Sequence, residues 1–172
     1  MAKLIRNRRV EDDVYTIVTL SEGDAPETVS LPAGPALVPL AIWKSRHDEL
    51  PEGSGVWLAG DEDPADIADN LTALPVIGVN FPKFADGRGY SIATLLRSRY
   101  GYTGELRAIG DVLRDQFNYL SRCGFDALQP AEGRYSEAQL EAAIASFDDF
   151  AEPYQASVAV SNPLFRRAQR AA

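Results

Sequence analysis

The chain has 172 residues, of which 45% are hydrophobic and 24% are charged, and its formal net charge is −8. This composition predicts a globular domain with its own hydrophobic core, and the negative charge argues against general binding to nucleic acids or anionic membranes. One histidine and one cysteine exclude, within one chain, a Cys/His zinc site, a four-cysteine iron–sulfur cluster and a CxxC dithiol. We therefore expect no metal and no cofactor, and a purified chain without a flavin or haem absorption band.

The sequence also predicts where the protein resides. No apolar run approaches the about 18 residues that a membrane-spanning helix needs, so we expect no transmembrane segment. The N-terminal sequence MAKLIRNRRV is basic but has no apolar centre, which distinguishes it from a secretory signal peptide. With a single cysteine and therefore no disulfide framework, we expect a cytoplasmic protein in a reducing compartment.

The first part of the chain, residues 1–50, is predicted to be irregular. Residues 15–20 (YTIVTL) are rich in β-branched side chains and indicate a strand. Residues 21–34 are rich in Gly, Pro, Asp and Glu and indicate a loop. A second strand at residues 36–40 and a short helix near residues 41–47 complete this part of the chain.

Regular alternation of strand and helix patterns begins at residue 56. Short apolar runs predict buried strands, and each is followed by a segment with helical spacing of apolar residues; the runs are residues 56–59, 76–79, 106–109 and 125–128. Strands that alternate with helices through short connections predict a parallel sheet in which neighbours in sequence are neighbours in space. This order favours a curved, half-barrel-like sheet, and an open three-layer sheet with reversed strand order is the alternative.

Capping residues indicate where the helices begin. The candidates are Asp63 before Pro64, Asp111, and Ser136 together with Gln139 as a capping box. The helix after the loop at residues 80–91 is predicted over residues 92–100, and the next helix is predicted to end at Gly124. We therefore expect a single α/β domain over residues 1–172, with regular β-α repeats at 56–150 and a C-terminal tail at 151–172.

The segment NFPKFADGRGYS, residues 80–91, lies between a predicted buried strand and a predicted helix. In α/β proteins this position carries sites, because free backbone N–H groups and the positive end of the helix dipole face outward there. The loop after the third strand reaches the same edge, since the carboxyl ends of parallel strands share one edge. No pattern identifies a catalytic group. We expect an anion- or partner-binding site formed by Lys83, Asp86, Gly87, Arg88, Gly89, Ser91, Asp111, Arg114 and Asp115.

The same residues also fit a purely structural role. Asp86 and Asp111 can cap helices, with Arg88 and Arg114 paired to them. Aromatic residues flank the first loop and either anchor a partner or seat the loop on the core; they are Phe81, Phe84 and Tyr90. The sequence leaves both roles open.

Several sharper motifs are incomplete. The segment 87–89 (GRG) starts like a dinucleotide-binding fingerprint, but Ile92 stands where the third glycine or alanine belongs. His47 has no serine or cysteine tied to it, so it is predicted to be a surface histidine and not a catalytic base. Cys123 has only Arg122 as local positive charge, so it is predicted to be a buried or half-buried structural thiol. The acidic run 61–63 fits a solvated helix start better than a magnesium site.

Three segments carry a family resemblance: NFPKFADGRGYS, GELRAIGDVLRDQ at residues 104–116 and RCGFDAL at residues 122–128, with VPLAIW and GVWLAGDEDP upstream. On these segments, the region from residue 75 to residue 128 resembles the bacterial domain of unknown function 934 family. The positions that match the family pattern are Phe81, Pro82, Phe84, Asp86, Gly87, Arg88, Gly89, Ser91, Arg97, Arg107, Gly110, Asp111, Arg114, Asp115, Gln116, Arg122, Gly124 and Phe125.

This family carries the label of a predicted oxidoreductase of sulfite reduction and is associated with genes of assimilatory sulfate reduction. The resemblance therefore implies an accessory protein that acts with sulfite reductase or with its electron-donor protein. The alternative is a small enzyme or sensor that holds an anionic sulfur metabolite with Lys83, Arg88 and Arg114. An accessory protein predicts an exposed aromatic surface, whereas an enzyme or sensor predicts a basic pocket; neither nucleic acid nor a membrane is an expected partner.

Overall fold

The computed structural model describes residues 2–150 and 152–167. These residues form one curled sheet with helices packed around it, which gives the sheet the shape of a half-barrel. The strands are β1 (Lys3–Arg6), β2 (Arg9–Asp12), β3 (Thr16–Ile17), β4 (Ala36–Pro39), β5 (Gly55–Leu58), β6 (Val76–Phe81), β7 (Glu105–Gly110) and β8 (Ala127–Pro130). The helices are α1 (Leu40–Arg46), α2 (Arg88–Ser98), α3 (Phe117–Cys123), α4 (Glu137–Ala143) and α5 (Leu164–Arg167). Short 3-10 helices lie at His47–Glu49, Pro64–Asn70, Arg114–Gln116 and Ile144–Asp148.

The order of strands across the sheet is β2-β1-β8-β7-β6-β5-β4-β3. From β3 to β8, each strand pairs in parallel with the next strand along the chain. The strands predicted from residue 56 onward correspond to β5, β6, β7 and β8, so the expected α/β fold with sequential parallel neighbours is confirmed in its half-barrel form. Strand β8 begins two residues later than predicted, because the carboxylate of Asp126, and not a backbone carbonyl, accepts the N–H of Leu106 (2.9 Å).

The N-terminal part of the chain is not irregular, which corrects the sequence-based expectation for residues 1–50. Strands β1 and β2 form an antiparallel hairpin, and β1 also pairs antiparallel with β8. The hairpin turn consists of Asn7 and Arg8, whose φ angles are 48° and 62°, as a two-residue turn of type I′ requires. Arginine rarely adopts a positive φ. Because Arg8 stands where glycine would be expected, the sequence lacks the Asn-Gly pattern that predicts such a turn.

The helix starts agree with the sequence in two of the predicted places. Ser136 and Gln139 form the expected capping box, with a 2.8 Å bond from Ser136 N to the Gln139 side chain. The Asp63 side chain accepts the N–H of Ala65 (2.9 Å), but the element that follows is a 3-10 helix. Helix α2 begins at Arg88, four residues before the predicted start, and α3 ends as expected at Gly124, whose φ is 105°.

The curvature of the sheet follows from the connection between its two edge strands. Strands β2 and β3 lie at opposite edges, but only residues 13–15 join them. In a flat sheet the two edge strands would be separated by about 34 Å, whereas the chain from Asp12 to Thr16 spans at most about 14 Å. The sheet therefore has to curl until its two edges approach each other.

The two faces of the curled sheet differ in chemistry. The outer face carries alternate apolar residues of the strands, and these pack against the apolar faces of the helices; this core includes Val56, Leu58, Ile77, Val79, Leu106, Ala108, Leu128, Ile92, Leu96, Phe117 and Leu120. The inner face carries the residues in between, and these include polar and charged side chains, namely Asn80, Arg107 and Gln129. The inside of the half-barrel is thus partly polar.

Candidate functional site

The loop between β6 and α2 is held together by an ion pair of its own residues. The Arg88 guanidinium donates to both oxygens of the Asp86 carboxylate, with Nε–Oδ1 at 3.0 Å and Nη2–Oδ2 at 2.7 Å. Asp86 Oδ1 also accepts the backbone N–H of Arg88, the first residue of α2 (3.1 Å). The bonds from Arg88 lower the pKa of the Asp86 carboxyl to about 2, so it is ionised at neutral pH. Asp86 thus starts the helix and compensates the charge of Arg88.

Asp111 does not cap the helix that follows it, which corrects the sequence-based expectation. Its Oδ2 accepts the backbone N–H of Phe84 (3.0 Å), and its Oδ1 accepts from Arg134 Nη2 (2.9 Å). The next helical segment begins at Arg114, where the Gln116 side chain accepts a backbone N–H (2.8 Å). Asp111 therefore joins the loop after β7 to the loop after β6, and its ion-pair partner is Arg134.

The other predicted site residues are a mixture of buried and exposed positions. Gly89 is buried, and a Cβ atom there would lie 2.6 Å from the Phe81 ring, so a larger residue has no room. Gly87 precedes α2 and faces open space. Exposed positions surround these two glycines; they are Lys83, Arg88, Ser91, Arg114 and Asp115.

The hollow beside α2 is acidic. It is shallow and is lined by Asp61, Glu62, Asp63, Arg88 and Ser91, among others. Glu62 accepts the backbone N–H of Ala59 (2.7 Å), and burial raises the pKa of its carboxyl. The carboxylates outnumber the one arginine, so this hollow is not the basic pocket that an anionic metabolite would need.

An exposed aromatic surface lies next to the predicted loop. We call Phe84, Tyr90 and Tyr119 the aromatic patch. The side chains of Phe84 and Tyr119 are 54% and 55% exposed, and the rings of Tyr90 and Tyr119 are in contact, with centroids 4.8 Å apart. Gln116 Nε2 donates to the carbonyl of Phe84 (2.9 Å) and to the hydroxyl of Tyr90 (3.0 Å), so it ties the patch together.

A buried ionic cluster fills part of the inside of the half-barrel. Arg107 on β7 is fully buried, and its Nη1 donates to Asp13 (2.9 Å) and to Gln129 (3.0 Å). Its Nε donates to Glu105 (2.8 Å), and its guanidinium lies over the ring of Tyr15, 4.9 Å from the centroid. Nη2 is 2.7 Å from Glu105 Oε1, but its N–H groups do not point at that oxygen, so within the described residues Nη2 has no hydrogen bond.

A pocket of about 350 Å³ opens on the same inner side, at the carboxyl ends of the parallel strands. Its walls come from the N-terminal segment, from the inner face of the sheet and from the loop after β8. The lining residues are Ala2, Tyr15, Ile17, Thr19, Trp57, Asn80, Ile109, Gly110, Gln129, Pro130, Ala131 and Glu132. We call this cavity the inner pocket; Tyr15 and Gln129 connect it to the buried ionic cluster.

The sequence analysis missed both the inner pocket and the ionic cluster. Polar residues interrupt the apolar strands at Asn80, Arg107 and Gln129, and this period-two placement is a signal for a polar inner face. No sequence pattern indicates that Asp13 joins the ionic cluster or that Tyr15 lines the pocket, because their positions depend on where the chain crosses from β2 to β3.

The two isolated residues considered from the sequence have structural surroundings. His47 Nδ1 lies 3.2 Å from the carbonyl of Trp43, and the two rings are in contact. Cys123 is 5% exposed, and burial raises the pKa of its thiol, which is the opposite of what a reactive cysteine needs.

The fold and these surfaces define an α/β half-barrel protein with a polar interior and an aromatic outer patch. The family described as bacterial protein of unknown function (DUF934) matches residues 55–165. The chain belongs to this family. The comparison with curated proteins and the comparison with solved structures gave no match.

The family match covers β5 to β8 and the helices between them, together with the aromatic patch. Strands β1 to β4 lie before the matched range. Across residues 2–150 and 152–167, no helix combines the length and the apolar character required to cross a membrane.

Proposed function

We propose that this protein is a cytoplasmic accessory protein of assimilatory sulfite reduction, and that it acts by contact with sulfite reductase or with its electron-donor protein. The pathway is what the association of the family with genes of assimilatory sulfate reduction implies, and the mode of action is inferred from the surface of the protein. The observation that carries the mode of action is the aromatic patch, because two large aromatic side chains are more than half exposed there, Phe84 in the loop after β6 and Tyr119 on α3.

The composition of the patch favours a protein partner. Tyrosine and phenylalanine supply large contact area at interfaces, and energetic hot spots are enriched in tyrosine. Charged residues border the patch: Lys83 adjoins Phe84 in sequence, and Asp115 is close enough to Tyr90 to contribute to the raised pKa of its hydroxyl. An aromatic centre with a charged rim is the usual anatomy of a protein interface, and the net charge of −8 favours a basic partner.

The alternative is a small enzyme or sensor that binds an anionic sulfur metabolite at the strand-end loops. It is less favoured, because Arg88 is already neutralised by Asp86 (2.7 Å) and the adjacent hollow is lined by carboxylates. Lys83 and Arg114 are exposed, and water screens exposed charges strongly. These loops therefore offer an anion weak binding compared with a buried, preorganised site.

The proposal is tested by affinity capture from bacteria grown on sulfate as the sulfur source. We expect the wild-type chain to retain sulfite reductase or its electron donor. The variant Phe84→Ser/Tyr119→Ser should bind at least about thirtyfold more weakly, since the loss of even one hot-spot aromatic costs at least about 2 kcal/mol. The variant Tyr154→Ser is the matched control, because Tyr154 is 86% exposed and lies outside the patch.

The same variants are then introduced into a strain that lacks its own copy of the gene. The patch variant should fail to restore growth on sulfate but should grow on sulfide, the product of sulfite reduction, whereas the Tyr154 control should grow on both. Capture of neither sulfite reductase nor its donor by the wild-type chain would refute the proposal, as would normal growth of a patch variant that folds normally.

A further inference from the structure

We propose that the inner pocket binds a small, uncharged aromatic molecule that carries a hydrogen-bonding group. The size of the pocket, about 350 Å³, falls within the range of small-molecule sites. It lies at the carboxyl ends of parallel strands, which is where half-barrel and barrel folds bind their ligands. This site is distinct from the aromatic patch on the outer face and does not depend on the function proposed for that patch.

The walls of the pocket favour an aromatic ligand. Trp57 and Tyr15 contribute rings, and Ile17, Ile109 and Pro130 contribute apolar surface. The indole N–H of Trp57 donates to the carbonyl of Val18 (2.8 Å), which fixes the orientation of the ring before any ligand arrives. Aromatic rings held in place are good surfaces for packing a second ring, so a flat ligand loses little free energy to reorganisation of the pocket.

Three polar groups of the described lining residues are available to orient the ligand. The Asn80 amide, the Tyr15 hydroxyl and the Thr19 hydroxyl all line the pocket, and within the described residues none of them makes a hydrogen bond. An amide offers both donors and acceptors. Gln129 also lines the pocket, but it is already bonded to Asp13 (2.7 Å) and to Arg107 (3.0 Å), so it supports the wall and does not recognise a ligand.

The charge of the surroundings argues against an anion. The nearest buried cation, Arg107, is paired with Asp13 (2.9 Å) and with Glu105 (2.7 Å). Glu132 is the one carboxylate among the lining residues, and no lysine or arginine lines the pocket among the residues that the structure describes. A carboxylate or sulfonate ligand would lose hydration without gaining a cation. Glu132 is exposed, so water screens its charge and it gives a cation little advantage; the pocket therefore favours an uncharged molecule.

The test uses benzamide and benzoate, which have nearly the same shape but differ in charge. Each is titrated into ¹⁵N-labelled full-length protein, and the two indole N–H resonances are followed by NMR. We expect benzamide to shift the Trp57 indole resonance with a dissociation constant on the order of millimolar, and benzoate to bind at least about tenfold more weakly. Trp43 contacts His47, does not line the pocket and serves as the internal control.

Two variants assign the binding to this pocket. Ala131→Phe places a bulky side chain at an exposed lining position and should abolish the benzamide shift, while Asn80→Leu should weaken binding about three- to tenfold. Phe84→Ser, on the outer aromatic patch, should leave the titration unchanged. The proposal is overturned if benzamide does not shift the Trp57 resonance, if benzoate binds as well as benzamide, or if Ala131→Phe, with an otherwise native spectrum, still binds.

Discussion

At the scale of single residues, the segment at residues 80–91 contains positions that are closely packed against the core and positions that face open space. Gly87 and Gly89 are two residues apart, yet their surroundings differ. A Cβ atom at Gly89 would lie 2.6 Å from the Phe81 ring, whereas nothing lies within 4 Å of the corresponding point at Gly87. The Phe81 ring in turn contacts the rings of Tyr90 and Phe125, so it cannot move without disturbing the base of the aromatic patch.

This contrast gives a matched pair of variants. Gly89→Ala should lower the free energy of unfolding by about 1–3 kcal/mol, because a well-packed core does not accept an extra methyl group without strain. Gly87→Ala, which adds the same methyl group in open space with φ at −84°, should leave it nearly unchanged. Urea unfolding of both variants measures the difference; equal stabilities would show that Gly89 is not needed for packing.

At the scale of secondary-structure elements, Arg97 on α2 joins the ends of several segments. Its Nε donates to the carbonyl of Gly124 (2.9 Å), and its Nη1 donates to the carbonyls of Tyr102 (2.6 Å) and Gly104 (2.9 Å). Nη2 pairs with the carboxylate of Asp126. These bonds hold the connections that lead into β7 and β8, so Arg97, one of the residues that match the family pattern, has a structural role.

Replacing Arg97 by lysine keeps the charge but removes the planar fork of donors. Arg97→Lys should lower the free energy of unfolding by about 2–3 kcal/mol, since several charge-assisted, partly buried bonds to carbonyls cannot all be replaced by one ammonium group. Arg99→Lys is the control, because Arg99 follows α2 and is exposed. Thermal unfolding that gives the same midpoint for both variants would contradict this role for Arg97.

At the scale of the whole molecule, the buried ionic cluster ties the two edges of the sheet to its centre. Asp13 lies in the link between β2 and β3, and it bonds both to Arg107 on β7 and to Gln129 on β8. Arg6 on β1 also pairs with Glu105 (2.7 Å). The cluster therefore connects the N-terminal hairpin, the link and the parallel strands through charges, of which Arg107 and Asp13 are buried and Arg6 and Glu105 are partly exposed.

Replacing Arg107 tests how much the closure of the curled sheet depends on the buried ionic cluster. Arg107→Met should lower the free energy of unfolding by about 3–5 kcal/mol, because it leaves the buried Asp13 carboxylate without a cation, whereas Glu105 keeps Arg6. Adding Asp13→Asn to this variant should restore part of the loss, since one uncompensated charge is then removed. Denaturant unfolding measures both values.

Arg88→Ala serves as the control for the effect of removing an arginine from an ion pair. Arg88 is exposed, and exposed ion pairs contribute little to stability, so the thermal midpoint should hardly change. If Arg107→Met were as stable as this control, the buried ionic cluster would not hold the half-barrel together.

The sequence by itself determined the part of the fold that depends on local patterns. Apolar runs separated by helical segments fixed the order β5 to β8 and the parallel sheet, and the capping box at Ser136 fixed the start of α4. The loop at residues 80–91 was found for the same reason, because polar and glycine residues between a strand and a helix are visible without a structure. The pairing of Asp86 with Arg88 was one of two roles that the sequence left open.

The tertiary structure alone decided what depends on contacts between distant residues. The hairpin of β1 and β2 uses a turn with arginine at positive φ, for which the sequence has no pattern. The partner of Asp111 is Arg134 and not Arg114, a choice made by how two loops meet. The inner pocket forms because a three-residue link draws opposite sheet edges together and brings Tyr15 over Arg107. Spacing along a chain specifies neighbours within an element, but only the closure of the sheet brings these side chains to one place.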